Sequence, residues 1–278
     1  YKVTGVQTCA LPIYPDPVTQ QQLRELLDGD AAELEDCFAG RLAFGTAGLR
    51  GALGPGPNRM NRVVVIQAAA GIAAYLRASN QASGRVVIGF DARHNSDVFA
   101  RDSAEVLAGA GFDALVMPRP LPTPVLAFAI RHLDCVAGIM VTASHNPPQD
   151  NGYKVYLGDG CQIVSPTDTA IASRIGEVAD AMSLGDIPRS SGWSLVEERV
   201  VEQYLQRAAS LITSAERANN RGVQTLITPL HGVGGDLLST VLVRAGFPAP
   251  IPVTSQFEPN PDFPTVEFPN RSEEHTSE

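Results

Sequence analysis

Apolar residues recur along the chain in two rhythms, long stretches at helical spacing and short β-branched runs, which together predict helices interleaved with buried strands. Thr19–Leu27 and Ala31–Ala39 read as two short helices, the first capped by Thr19. Phe44–Pro57 is too rich in glycine and proline for regular structure. Asn61 caps a long apolar-periodic helix to about Ala78, Arg85–Phe90 is a β-branched strand, and Ser96 caps a helix to Ala110. A short strand at Ala114–Met117 and a helix at Pro124–Leu133 lead into Val136–Thr142, a near-continuous apolar strand of the kind buried on both faces.

The texture changes after Ile163. A helix at Asp168–Met182 precedes a polar, turn-rich linker, Pro188–Gly192, and the domain boundary is expected near Ser190. Beyond it come a helix at Glu197–Leu211, a strand at Val223–Thr228, a helix at Asp236–Ala245 and a strand at Ile251–Thr254. This alternation predicts an α/β chain: a mixed-sheet α/β/α domain over 14–189, then a second α/β domain of the same kind over 193–270, cut off before it completes.

Composition narrows the class. With 44% hydrophobic and 18% charged residues the chain is not disordered. Its net charge of −9 argues against a broad basic face for nucleic acid. No apolar run reaches the roughly 18 residues of a membrane span, so a soluble protein is expected. Four cysteines without CxxC spacing fit a reducing cytoplasm.

Both termini read as something other than protein. Arg271–Glu278 (RSEEHTSE) back-translates to AGA TCG GAA GAG CAC ACG TCT GAA, the start of a common sequencing-library adapter. Val3–Ile13 back-translates to the reverse complement of the same adapter. Residues 1–13 and 271–278 are therefore set aside as adapter translation, which removes Cys9 and His275 from consideration. The natural sequence is expected to continue past Asn270, leaving this chain an N-terminal fragment.

The densest chemistry is TASHNPPQDNGYKVY, Thr142–Tyr156. A buried strand stops at Thr142, so Ser144 sits on a loop at a strand's carboxyl end, where open α/β sheets place ligands. Pro147 and Pro148 stiffen that loop. Asn151-Gly152 signals a tight turn, and Tyr153–Tyr156 alternates as a returning strand that carries Lys154. An isolated Ser-His pair means little, and the GxSxG of a hydrolase elbow is absent, so a serine hydrolase is disfavoured. Two further stretches bear on the same chemistry. Phe44–Gly51 (FGTAGLRG) sets Gly45, Gly48 and Gly51 around Arg50, and Gly89–Ser96 (GFDARHNS) ends a strand.

Together these stretches resemble the α-D-phosphohexomutase family, the phosphoglucomutases and phosphomannomutases. GPGPNRMN, which follows the first glycine-rich loop, is most similar to the phosphoglucomutase-2 and phosphopentomutase branch. The resemblance makes Thr142–Tyr156 the phosphoserine loop, with Ser144 carrying the phosphoryl group and His145 donating to it or assisting proton transfer. It makes Lys154 a general base or acid, or else a plain electrostatic clamp, and Arg50 the arginine that contacts the phosphoryl group. Thr46, Gly48 and Asn146 join Arg50 as substrate-binding positions. Asp91 and Arg93 either brace the serine loop or touch the phosphate directly, and His94 is an exposed loop residue. His231, in TPLHGVGG, belongs either to an anion nest or to close helix–strand packing.

The resemblance implies a cytoplasmic mutase that moves phosphate between the 1- and 6-positions of a hexose through a bisphosphorylated sugar, or acts on phosphopentose or phosphomannose. Its partner is a small sugar phosphate, with no nucleic acid and no membrane, and a sugar bisphosphate is the activator. The cofactor is Mg²⁺, held in this chain only by a phosphate oxygen on Ser144. Asp28-Gly29-Asp30 and Asp159-Gly160 lack the ligand count for a metal. The family's DxDxDR metal loop is expected beyond Asn270, because Glu258–Asn270 resembles the stretch before it, so the chain alone is expected to be inactive. A non-catalytic phosphosugar-binding module is the competing class.

Overall fold

A computed structural model describes residues 14–79, 81, 83–213, 216, 222–267 and 269; the two adapter-like ends lie outside the described residues. The first region is a six-stranded mixed sheet in the order β1-β5-β4-β2-β3-β6. Its strands are β1 (Leu49–Ala52), β2 (Arg85–Phe90), β3 (Asp113–Val116), β4 (Cys135–Val141), β5 (Asp150–Leu157) and β6 (Ser194–Leu195). β4, β2, β3 and β6 run parallel, while at one edge β5 pairs antiparallel with β4 and β1 antiparallel with β5, so that β5 alone runs against the others.

β2 and β4 are central because their β-branched runs can be buried on both faces. Alternation then assigns the faces. Val86 and Ile88 join Ile139, Val141 and Tyr153 beneath α3 (Arg62–Ala78) and α4 (Ser96–Gly109). Val87 and Met140 join Leu126 and Ile130 of α5 (Thr123–His132) on the other side. α6 (Thr167–Ala181) packs on α3, where Gly71 leaves room for the Ile175 backbone; a Cβ there would lie 2.6 Å from Ile175 Cα.

Several sequence expectations shift. α1 (Pro17–Asp28) is capped by Asp16 rather than Thr19: Asp16 Oδ1 accepts from the Thr19 N–H at 2.7 Å, and Pro17 takes the first helical position, where its missing donor costs nothing. α2 (Ala31–Phe38) is capped by Asp30, which gives that aspartate a structural occupation. Ser96 is the first residue of α4 and not its cap. The cap is Asn95, in the left-handed region at φ 64, while the Ser96 hydroxyl donates to Asp91 Oδ1.

The glycine-rich stretch is not irregular throughout. Leu49–Ala52 forms β1 on β5, reached through a tight Gly45–Gly48 turn. Only glycine allows that approach: Gly48 has φ 76, and a Cβ would lie 1.8 Å from the Tyr153 carbonyl oxygen. Asn151-Gly152 is not a turn either but lies inside β5, paired with Gly51 and Arg50. Asn151 is buried, and its amide donates to the His94 carbonyl and Ser96 Oγ, which fixes an extended backbone where the dipeptide alone favours a turn.

The second region contains α7 (Glu198–Ala209), α8 (Gly235–Arg244) and a two-stranded parallel sheet of β7 (Leu226–Ile227) and β8 (Ile251–Pro252). α7 packs on α5 and α8, and Leu237 enters the same apolar cluster as Val87 and Leu126. The polar linker is held down rather than loose: the Ser190 N–H donates to the Glu105 carbonyl, and Arg189 pairs with Asp102 and Glu105. β6, just after it, still belongs to the first sheet.

Candidate active site

β4 ends at Val141, and three residues later the chain turns sharply at Ser144, whose φ of 54 lies in the left-handed region that non-glycine residues seldom occupy. The Ser144 N–H donates to Thr142 Oγ1 at 3.0 Å, a local bond that supports the turn. The serine side chain is thereby exposed at the carboxyl edge of the sheet. Such strain is found preferentially at functional sites.

β5 returns beside it and presents Lys154, whose Nζ donates to Ser144 Oγ at 2.8 Å. In the β1–β5 ladder Arg50 stands opposite Gly152, so Arg50 and Lys154 share one face, and a Cβ at Gly152 would lie 2.6 Å from the Thr142 carbonyl oxygen. Burial pushes the Lys154 ammonium below the ordinary lysine value, the Arg50 charge pushes the same way, and Asp91 opposes both. Arg50 Nη1 donates to Asn146 Oδ1 at 3.1 Å, and Asn146 Nδ2 donates to Asp150 Oδ2 at 2.8 Å, so the loop's own amide is held from both sides.

The lowered lysine gives a pH signature. Between the folded and ordinary values the folded chain binds fewer protons than the unfolded one, so this group's contribution makes stability rise with pH across that window. The Lys154 amine is expected to reach half-maximal reductive methylation at a lower pH than a free lysine, followed by peptide mass spectrometry. Coincident titration with free lysine would contradict it.

Arg93 sits under the loop, 5% exposed. Nη1 donates to the carbonyls of Pro147 (2.8 Å) and Asp150 (3.1 Å), and Nη2 to those of Ser144 (2.9 Å) and Asn146 (2.6 Å). Nε faces Asp91 Oδ2 at 3.7 Å. All five N–H groups are thus directed at the protein itself. Burial lowers its pKa, partly offset by Asp91 and Asp150. Asp91 Oδ1 accepts from the Arg93 N–H and from Ser96 Oγ, fixing the turn that aims the guanidinium.

Beside Ser144 opens a cleft of about 620 Å³, shared by the two regions and lined by Asp91, Arg93, Thr142, Ser144 and His145 on one side and Leu230, His231 and Phe263 on the other. Arg50, Lys154 and Asn146 flank Ser144 but do not line this cleft. His145 is exposed and makes no hydrogen bond to the described residues. Two expected positions are not gathered in. Thr46 is exposed at the tip of its turn, its carbonyl taken by Gln162 Nε2, and Gly48 is buried against Tyr153.

His231 is buried at φ 61, with Nδ1 at 3.3 Å from the Glu258 carbonyl and Nε2 at 2.8 Å from Thr265 Oγ1, so its ring secures a loop. His94 is exposed but not idle, since its Nε2 meets Asp262 Oδ1 at 2.7 Å. Among the described residues no cluster of three or more His, Cys, Asp or Glu side chains could hold a metal ion, so they do not fit a Mg²⁺ site.

One sequence signal for the site was there to be counted. Of 21 basic residues only Lys2 and Lys154 are lysines, and Lys2 lies in the adapter-like end. That count singles out Lys154, and a lysine, unlike an arginine, can lose its proton when buried.

Residues 41–182 match the family described as phosphoglucomutase/phosphomannomutase, alpha/beta/alpha domain I, and residues 202–278 match its alpha/beta/alpha domain II. The chain belongs to the phosphoglucomutase/phosphomannomutase family. It is 52% identical over 217 residues to the probable phosphomannomutase of Haemophilus influenzae, covering 77% of this chain and 44% of that protein. It is 36% identical over 267 residues to the phosphopentomutase of Homo sapiens, covering 90% and 43%. A crystal structure of a phosphoglucomutase/phosphomannomutase family protein from Burkholderia thailandensis superposes with a TM-score of 0.63 at 22% identity, over 79% of this chain and 44% of that one, a likeness of fold. The chain therefore spans less than half the length of these relatives. No helix among the described residues is long and apolar enough to cross a membrane.

Proposed function

We propose that the protein is a phosphosugar mutase in which Ser144 alternately carries and releases a phosphoryl group. The observation that carries this reading is the 2.8 Å contact from Lys154 Nζ to the hydroxyl of a serine held in left-handed backbone, with Arg50 on the same strand face. When phospho-Ser144 donates, the P–Oγ bond breaks as a P–O bond forms to a sugar hydroxyl. In this reading Lys154, in contact with Oγ, protonates that oxygen as it departs, and the exposed His145 takes the proton lost by the sugar. When Ser144 is recharged from the bisphosphorylated sugar, the sugar's P–O bond breaks as the P–Oγ bond forms, the same lysine takes the Oγ proton back, and His145 returns its proton to the sugar oxygen. Arg50 supplies positive charge, and Asn146, clamped between Arg50 and Asp150, keeps the loop in position. Phosphoryl transfer depends chiefly on such positioning and charge stabilisation.

Arg93 acts in this reading as the brace of the loop, since its donors are already spent on carbonyls. Asp91 orients it. Thr46 and Gly48 serve the turn that seats β1, which leaves Arg50 as the substrate-binding residue of that loop. The domain limits expected from the sequence, 14–189 and 193–270, move in this reading to just past β6, because Ser194–Leu195 pairs with β3 in the first sheet.

The substrate is a glucose phosphate exchanged between its 1- and 6-positions, with a sugar bisphosphate as activator and in the cytoplasm. Relatives named phosphomannomutase and phosphopentomutase keep mannose and pentose phosphates as alternatives. The described residues offer no carboxylate set for Mg²⁺, so no step is assigned to it, and among them a phosphate oxygen on Ser144 is the ligand this reading assigns to the metal. The same observation favours phosphosugar binding without turnover for the 278-residue chain alone.

The test uses a version of the protein extended to the length of its relatives. After incubation with a sugar bisphosphate and Mg²⁺, peptide mass spectrometry is expected to find one phosphate on Ser144, and Ser144→Ala to reduce sugar-phosphate interconversion to background. An undiminished rate in that variant ends the proposal. The 278-residue chain is expected to show no turnover in the same assay.

A further inference from the structure

The brace under the serine loop is itself held, and by the second region. The edges of the Arg93 guanidinium are spent on the carbonyls of Ser144, Asn146, Pro147 and Asp150. Its face is covered by the Phe263 ring, with Arg93 Cζ 5.0 Å from the ring centroid. A guanidinium over an aromatic face is attracted by the ring's negative centre, and more strongly where water is excluded; here both side chains belong to residues only 5% exposed.

Phe263 occupies φ 47, which a bulky aromatic residue adopts only when its surroundings over-determine it. His231 anchors the loop through the Glu258 carbonyl and Thr265 Oγ1, the Asn260 N–H donates to the His231 carbonyl at 3.0 Å, and the His231 ring meets the Phe263 ring at 6.5 Å, edge to face. Next to it, Asp262 meets His94, whose carbonyl accepts from the Asn151 amide of β5.

We infer that Phe263 is a positioning residue for Ser144: it caps the face of Arg93, and through Arg93 it makes the geometry of the serine loop depend on where the second region sits. The catalytic meaning of this rests on the proposed role of Ser144, but the mechanical coupling does not. Strain stored at Phe263 and the fixed direction of Arg93 are then two parts of one device, in which movement of loop 258–266 releases the guanidinium and with it four carbonyls of the nucleophile's turn.

Plain packing and a charge–ring contact predict different outcomes for side chains of similar bulk. Hydrogen exchange of the 278-residue chain, read by mass spectrometry, compares the peptide 143–151 with peptides from α3 and β2. Phe263→Leu fills much of the volume without an aromatic face, and is expected to speed exchange of 143–151 about tenfold relative to α3. Phe263→Tyr keeps the face, and is expected to hold it within about twofold of the parent. The inference is overturned if Phe263→Leu leaves the loop as protected as in the parent, if Phe263→Tyr fails to rescue it, or if exchange rises as much in α3 as in the loop, which would make Phe263 merely structural. None of these readings depends on phosphate reaching Ser144, so this inference and the mutase proposal can fail separately.

Discussion

Arg93→Met is expected to cost about 3 kcal/mol of stability and to slow phosphoryl uptake at Ser144 about a hundredfold in the extended protein. The estimate begins with what the guanidinium does. It gives four charge-assisted hydrogen bonds, 2.6 to 3.1 Å long, to carbonyls spread over seven residues of one turn. Those carbonyls point inward because the serine turns outward, and without a donor each must find water or move. Methionine replaces the stem of the side chain but none of its donors. A shift of about 1 Å in a reacting group can itself cost a hundredfold in rate, so the loss in uptake should exceed what the stability change alone suggests. Arg93→Lys separates charge from geometry: an ammonium has three donors and no plane, and cannot reach four carbonyls at once, so it is expected to recover only part of both losses. Urea denaturation and the rate of Ser144 phosphorylation check the two numbers. Parent-like uptake in Arg93→Met would show that the loop holds its shape without the brace.

The brace also shows which parts of this molecule can be read from the chain and which cannot. β2 and β4 are legible because Val86–Ile88 and Ile139–Val141 are apolar on both faces, a pattern that needs no partner to be recognised. Asn61 is legible as a cap because its Oδ1 answers the Val64 N–H three residues on. β1 is not, since Leu49–Ala52 is a strand only by virtue of its ladder with β5, and its glycines argue locally for a loop. Asn151-Gly152 misleads for the same reason: the contacts that straighten it come from His94 and Ser96, more than fifty residues away.

The site divides along the same line. Ser144, Lys154, Arg50, Asn146, Asp91 and Arg93 lie in short motifs, and the structure brings them within reach of one another. Thr46 and Gly48 share a motif with Arg50 but not its position, because the tight turn carries Thr46 outward and Gly48 inward. Phe263 and Asp262 give no local signal, since a phenylalanine in a proline-rich stretch has no periodicity to place it. Their contacts cross from one region to the other, and only the folded chain reveals them.

Asp102→Ala is expected to cost about 3 kcal/mol, at the lower end for removal of one partner from a buried ion pair. The carboxylate's side chain is 2% exposed and lies between two arginines. Arg62 of α3 binds it through Nε and Nη2, both at 2.7 Å, and Arg189 of the linker through Nη2 at 2.6 Å, while the same Nη2 reaches Glu105 at 2.6 Å. One acidic side chain thus ties α3, α4 and the approach to the second region. Removing it strands two positive charges, but the arginine side chains are 24% and 29% exposed and can turn toward water, which keeps the cost below that of a fully enclosed charge. The contrast is the Arg41–Asp180 pair, with side chains 50% and 71% exposed, where Asp180→Ala is expected to cost under about 0.5 kcal/mol. Urea midpoints of the two variants give the comparison, and equal losses would mean that burial of Asp102 adds nothing. Because Arg189 loses one of its two anchors, Asp102→Ala should also quicken trypsin cleavage after Arg189 well beyond the change at Arg41, placing the damage at the linker rather than across the sheet.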